Sequence, residues 1–69
     1  MEAREQLSLV QKLMYGLPEI QRTIMLLRDI EGRTYQEIAQ VLDITEIQVK
    51  VYLHRARMKV KKGLEDHGL

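Results

Sequence analysis

The densest group of chemically active side chains in this sequence is a basic segment near its carboxyl end. Residues 50–62 hold six lysines and arginines and no carboxylate, so this segment carries a charge of +6 in a chain whose net charge is +1. Residues 1–31, by contrast, sum to −1. A concentrated positive block is typical of a surface that binds a polyanion such as nucleic acid. The alternative is a solvated helix face without a ligand, and the position of the segment in the fold has to decide between the two.

The other polar side chains form no pattern typical of catalysis or metal binding. Ser8 is the only serine, and neither His54 nor His67 is near it in the sequence. The chain has no cysteine, and the spacing of its histidines resembles no metal site. The carboxylates are spread along polar faces rather than paired in an apolar setting, as acid–base catalysis would require. We therefore predict a protein that is not an enzyme and that uses no cofactor, metal or small-molecule substrate.

Four helices are predicted to position the basic segment. Gly16 and Gly32 end apolar patterns of helical spacing, and Pro18 suits the first turn of a helix, where its missing N–H is not needed. No stretch alternates with a period of two for long enough to indicate a strand. The sequence thus predicts a single all-α domain over residues 1–69, a four-helix domain with a C-terminal helix-turn-helix and no wing. Its helices are predicted at about residues 2–14, 18–31, 35–42 and 46–64.

Two capping boxes in tandem indicate the helix-turn-helix. Thr34 is followed three residues later by Glu37, and Thr45 is followed in the same way by Gln48. In such a pair each side chain satisfies a backbone amide that the first helical turn leaves unpaired. Between the boxes, Asp43 is a residue type that tolerates left-handed backbone or bonds its neighbours. Two capped helices joined by so short a turn, the second of them basic, favour a helix-turn-helix.

The last helix is predicted to have two different faces. At about 100° per residue, one side collects residues suited to a core, namely Val49, Tyr52, Leu53, Ala56 and Val60. The opposite side mixes apolar and basic residues, namely Ile47, Val51, His54, Arg55, Met58, Lys61 and Lys62. A DNA major groove admits a helix, its guanine edges pair with arginine and lysine, and its thymine methyls contact apolar side chains. Ordinary surface exposure and burial against another protein are the alternatives.

Four segments carry a resemblance to a known family. They are LP at 17–18, LLRDIEG at 26–32, TYQEIA at 34–39 and VKVYLHRAR at 49–57. In this order they resemble region 4 of a bacterial extracytoplasmic-function sigma factor of the sigma-70 family, over about residues 7–64. The resemblance implies a helix-turn-helix that binds double-stranded DNA at the promoter minus-35 element in transcription initiation. It also implies docking on the β-subunit flap of RNA polymerase and sequestration by an anti-sigma factor.

The resemblance assigns roles residue by residue. Four positions match family residues that reach base edges or the phosphates beside them: Lys50, Val51, His54 and Arg55. Two match positions near helix starts that contact the DNA backbone: Tyr35 and Gln48. Arg57 matches the family's second arginine, and its place at the side of the last helix suits a phosphate of the backbone or a surface contact. Lys61 follows them on the same basic helix and is expected to contact phosphate.

Several positions depart from the family pattern. The family usually has glycine at the positions of Asp43 and Ile47, small polar residues at those of Gln48 and Val51, and often arginine at that of Tyr52. These changes place apolar groups on or beside the DNA-contacting side of the helix. We infer that this chain recognises a different base pattern, with more contact to thymine methyl groups.

Two further functions remain open from the sequence. One is the helix-turn-helix effector domain of a response regulator, although the continuation of the last helix through residues 53–57 favours the sigma factor. The other is a helical module that binds protein through Ile47, Val51 and Met58. No apolar run approaches the roughly 20 residues that cross a bilayer, and the amino terminus has no signal-peptide pattern. A cytoplasmic protein without a membrane partner is therefore expected.

Overall fold

Helices occupy most of the chain, and the turns between them contain the residues that the sequence predicted for turns. The computed structural model describes the backbone of residues 3–68 and the side chains of residues 9–68. Its helices are α1 (Ala3–Tyr15), α2 (Glu19–Met25), α3 (Tyr35–Leu42) and α4 (Glu46–Asp66), and a π-helical turn (Leu26–Ile30) continues α2. The predicted all-α fold class is confirmed. Residue 2, where the first helix was predicted to begin, lies outside the described residues.

The second helix differs from the prediction of one regular helix over residues 18–31. Pro18 precedes the first turn with extended backbone (φ −52°, ψ 145°), and the regular part ends at Met25. Beyond it the turn widens, so that the Glu31 N–H donates to the Leu26 carbonyl at 3.0 Å. Gly32 then ends the segment with left-handed backbone at φ 72°. Residues 26–30 contain no glycine or proline that would signal the wider turn, and periodicity cannot resolve one extra residue in a turn.

Gly63 lies inside the fourth helix rather than at its end. The helix continues through this residue to Asp66. A Cβ atom at position 63 would collide with the Leu13 side chain, whose Cδ1 and Cγ atoms would lie 3.0 and 3.2 Å away. Glycine therefore lets α1 approach α4 closely here, and a larger residue would require the Leu13 side chain to move. The end of α4 at Asp66 is close to the predicted end at about residue 64.

One face of α4 forms the centre of the core. Four of its five predicted core residues are buried, and Tyr52 is half-buried. Val49 and Leu53 pack with Ile24 of α2 and with Ile38 and Ala39 of α3. Further along, α4 packs against the α1–α2 connection through a second cluster: Leu17, Ala56 and Val60. The three shorter helices therefore lie against one side of α4, and none of the helices described in residues 3–68 is long and apolar enough to cross a membrane.

Candidate nucleic-acid interface

The helix-turn-helix is built by the two capping boxes that the sequence predicted. The Glu37 N–H donates to Thr34 Oγ1 at 3.1 Å, and the Thr34 N–H donates to Glu37 Oε1 at 3.0 Å. At the start of α4 the Gln48 N–H donates to Thr45 Oγ1 at 3.0 Å, and the Thr45 N–H donates to Gln48 Oε1 at 2.9 Å. Hydrogen bonds from the Thr34 amide and hydroxyl hold the pKa of Glu37 below its ordinary value, so this box keeps a charged acceptor. The two capping boxes therefore define the first residues of α3 and α4.

The turn between α3 and α4 is equally constrained. Asp43 adopts left-handed backbone (φ 54°, ψ 48°), the only described non-glycine residue to do so. The Ile44 N–H then donates to the Ala39 carbonyl at 3.0 Å, and the Ile44 side chain packs against the core. Left-handed backbone costs a non-glycine residue about 1–2 kcal/mol, which the surrounding contacts must offset. The turn thus sets the direction in which α4 leaves α3.

The side of α4 away from the core is open to solvent and carries three apolar residues and one histidine in a line. The four residues are exposed and follow one another at spacings of three or four positions. We call this line the outward stripe: Ile47, Val51, His54 and Met58. Ile47 is 73% exposed, Val51 40% and Met58 50%. These residues lie within about 60° of one another around the helix axis. The predicted separation of α4 into a core face and a mixed outward face is confirmed.

Cations border the outward stripe on both sides. Lys50 and Lys61 lie on one side of it, Arg55 and Lys62 lie on the other, and the two pairs are about 120° apart around the axis. We call these pairs the cationic rows. All four residues are exposed, and no residue from 47 to 64 is acidic. Among the side chains of residues 9–68, no carboxylate lies within ion-pair distance of the four. The charge of this face is therefore available to an outside ligand.

Tyr35 connects this face to the rest of the helix-turn-helix. Its half-buried ring has the Lys50 ammonium 5.4 Å from the ring centroid and the Arg28 guanidinium carbon 4.6 Å away. Arg28 also donates to the Arg33 carbonyl at 2.9 Å, just before α3 begins. Cations over an aromatic face are attracted by its electron density. The structure thus brings together two of the predicted site residues, Tyr35 and Lys50, at the edge of the outward face.

Arg57 has a partner that the sequence analysis missed. Its Nε–H donates to Asp29 Oδ2 at 3.0 Å and its Nη2 donates to Asp29 Oδ1, which makes a two-point ion pair between α4 and the π-helical turn. Asp29 raises the pKa of Arg57 above its ordinary value, mainly through this hydrogen bonding. The partners are 28 residues apart, so no local pattern indicates them. We call this pair the Asp29–Arg57 brace.

The remaining predicted site residues lie on or beside the outward face. Val51, His54, Arg55 and Lys61 are exposed on α4, in the positions that the helical wheel indicated. Gln48 is also exposed, and its capping contact engages the carbonyl oxygen rather than the NH2 group. Among the residues that the structure describes, no group of three or more histidines, aspartates or glutamates could hold a metal ion.

Comparison with known proteins agrees with the family resemblance found in the sequence. Residues 7–60 match the protein family described as Sigma-70, region 4. The chain is also similar to the RNA polymerase sigma factor YlaC of Bacillus subtilis (strain 168), with 33% identity over 48 residues. The matched segment covers 70% of this chain and 28% of that relative. The chain therefore spans only about a quarter to a third of the relative's length.

The Asp29–Arg57 brace leads to a prediction about stability. Asp29→Asn should lower the free energy of unfolding by up to about 1 kcal/mol, because the pair is well aligned but partly exposed. The same substitution in an Arg57→Met background should cost less, since the partner charge is already absent. Urea denaturation followed by circular dichroism measures both values. Glu31→Gln, at a neighbouring carboxylate paired with Arg33, is the control and should have the same effect in both backgrounds. Strict additivity of Asp29→Asn and Arg57→Met would contradict the brace.

Proposed function

This chain belongs to the sigma-70 region 4 family, and on that premise we propose that it binds double-stranded DNA through the outward face of α4. In this proposal it is the part of a sigma factor that recognises the promoter minus-35 element and so directs RNA polymerase to promoters. The observation that carries the proposal is the face itself, which is basic, free of acids and built on the second helix of a helix-turn-helix. That second helix is the one that enters the major groove in proteins of this architecture.

The base contacts are assigned to the first three turns of α4. Arg55 can pair with the O6 and N7 atoms of a guanine, and Lys50 can reach the same kind of edge. His54 lies between them on the outward stripe and can donate to a base or a phosphate. Val51 supplies an apolar contact beside these donors. The major groove is about 12 Å wide and therefore accommodates a helix with such side chains.

Contacts to the DNA backbone are assigned around this centre. Tyr35 and Gln48 lie in the first turns of α3 and α4, where the N–H groups that the capping boxes leave unpaired favour a phosphate. Lys61 lies further along one cationic row and can reach a more distant phosphate. The sequence also predicted a backbone contact for Arg57, but its guanidinium is already bound at two points by Asp29. We therefore assign Arg57 to positioning α4 instead.

A second surface supports contact with RNA polymerase. A groove between α1 and α2 is mainly apolar and is lined by Gln11, Met14, Tyr15, Arg22, Thr23, Leu26 and Ile30. Tyr15 and Ile30 are well exposed there, and exposed apolar patches are typical of protein contacts. No residue of α4 lines the groove, so polymerase and DNA could be bound together. We propose this groove for the β-subunit flap. The expected anti-sigma factor rests on the resemblance alone.

Two of the functions left open by the sequence are both DNA-binding helix-turn-helix functions, and family membership separates them. The response-regulator effector domain is set aside because the chain matches the sigma family over most of its length. The protein-binding module remains the competing explanation for the outward stripe. The two explanations differ in their dependence on salt, because phosphate contacts release counterions and apolar protein contacts do not.

The proposal predicts sequence-selective binding that weakens steeply with salt. The domain is titrated by fluorescence anisotropy against short duplexes with randomised cores, at about 50 and 200 mM salt, and the bound duplexes are sequenced. If the four cations of the cationic rows neutralise about four phosphate charges, affinity should fall roughly 100-fold between the two salt concentrations. Enrichment of one sequence would identify the DNA element that the domain recognises. Absence of any binding at the lower salt concentration, or binding without selection, would contradict the proposed function.

Two substitutions separate base contacts from backbone contacts. Arg55→Ala should weaken the selected duplex by about 1–3 kcal/mol and reduce its preference over unrelated duplexes. Lys61→Ala should weaken all duplexes alike and lower the slope of log affinity against log salt by about one. Lys12→Ala removes an exposed charge from α1 and serves as the control for net charge. An unchanged preference in Arg55→Ala, or a loss confined to one sequence in Lys61→Ala, would remove that residue from its assigned role.

A further inference from the structure

We propose that Ile47 and Val51 are specificity determinants that contact the C5 methyl groups of thymines, so that the DNA site of this chain has thymines facing the start of α4. This inference rests on the proposed function and adds the chemistry of the bases that are recognised. Two residues carry it, and both are aliphatic, exposed and one helical turn apart on the outward stripe. Residues at this spacing have Cβ atoms about 5–6 Å from each other and can act on one ligand together.

These two side chains lie outside both core clusters. The core side of α4 is supplied by Val49, Leu53, Ala56 and Val60, which are all buried. Ile47 and Val51 point to the opposite side, where they leave apolar surface in water. A single exposed aliphatic residue is ordinary, but two in register between two rows of cations form a defined surface. Their position therefore indicates a ligand rather than a role in the stability of the domain.

The charges around the stripe restrict what that ligand can be. Because the cationic rows lie on both sides of Ile47 and Val51, the ligand should present acceptor atoms or negative charge on both flanks and apolar groups between them. A major groove has this arrangement, since guanine edges offer acceptor atoms to Lys50 and Arg55 and two phosphate backbones border the groove. The thymine methyl is the apolar group that the base edges present there. Cytosine and the purines offer polar atoms at the groove instead, and those would leave the two aliphatic side chains without a partner.

The side-chain types suit this contact. Isoleucine and valine are branched at Cβ and have one strongly preferred rotamer in a helix, so little conformational freedom is lost on binding. The capping box at Thr45 fixes the backbone immediately before Ile47. Removal of one methyl group from water is worth about a fourfold change in affinity. Two such contacts would therefore select thymines over other bases at about two positions of the site.

The test removes single thymine methyl groups from the DNA. In the duplex selected from the randomised pool, each thymine is replaced in turn by deoxyuridine, which keeps the base-pairing and phosphate groups but lacks the methyl. At one or two positions affinity should fall about fourfold, and this loss should be the same at both salt concentrations. Val51→Ala or Ile47→Ala should weaken the thymine duplex similarly. The variant should lose nothing further on the matching deoxyuridine duplex, because the contact is already absent.

The control substitution is at an exposed valine whose exposed fraction is close to that of Ile47. Val41 of α3 is 71% exposed and outside the outward stripe, so Val41→Ala should leave binding to both kinds of duplex unchanged. Circular dichroism checks that each variant keeps its fold, which is expected because the substituted side chains are exposed.

The possible outcomes distinguish failure of the methyl contacts from failure of the proposed function. Selective, salt-dependent binding in which no deoxyuridine substitution changes affinity would overturn the methyl contacts and leave the proposed function standing. Absence of binding to every duplex would contradict the proposed function and, with it, this inference. Absence of duplex binding together with self-association that Ile47→Ala abolishes, measured by analytical ultracentrifugation, would assign the stripe to a protein partner and likewise overturn the inference.

Discussion

Burial of one face of α4 holds the four helices together. Val49, Leu53, Ala56 and Val60 join the two parts of the core, and every other helix lies on their side of α4. A domain of this size has a small core, so loss of this packing would release all three partner helices. Because the partners occupy only one side, the other side of a 21-residue helix stays open. The core and the candidate interface are thus two faces of the same element.

Several short-range contacts make that open face rigid. The capping boxes fix where α3 and α4 begin, and the left-handed Asp43 sets the angle between them. The Tyr35 ring and the Asp29–Arg57 brace then tie α4 to the elements beside it. Side chains held on a rigid helix lose less freedom when they bind, and this favours discrimination between similar ligands. The proposed contacts to bases and thymine methyls rely on this rigidity.

The sequence predicts the local features well and the long-range ones poorly. Both capping boxes, the turn at Gly32 and the two faces of α4 follow from residue types a few positions apart. The π-helical turn could not be predicted, because it differs from a regular helix by one residue in a turn. The role of Gly63 depends on Leu13, and the partner of Arg57 is 28 residues away, so only the folded chain shows either contact. The roles of Lys50, Val51, His54 and Arg55 in DNA binding stay predictions.

The central claim is that the first three turns of α4 form the DNA-binding surface. The most direct measurement is a titration of the isotope-labelled domain with the selected duplex, followed by the amide chemical shifts in NMR spectra. The largest shifts should fall at Ile47, Val51, His54 and Arg55. Amides of the groove between α1 and α2, such as those of Tyr15 and Ile30, should move little. Large shifts centred on that groove, with the start of α4 unchanged, would contradict DNA binding by α4.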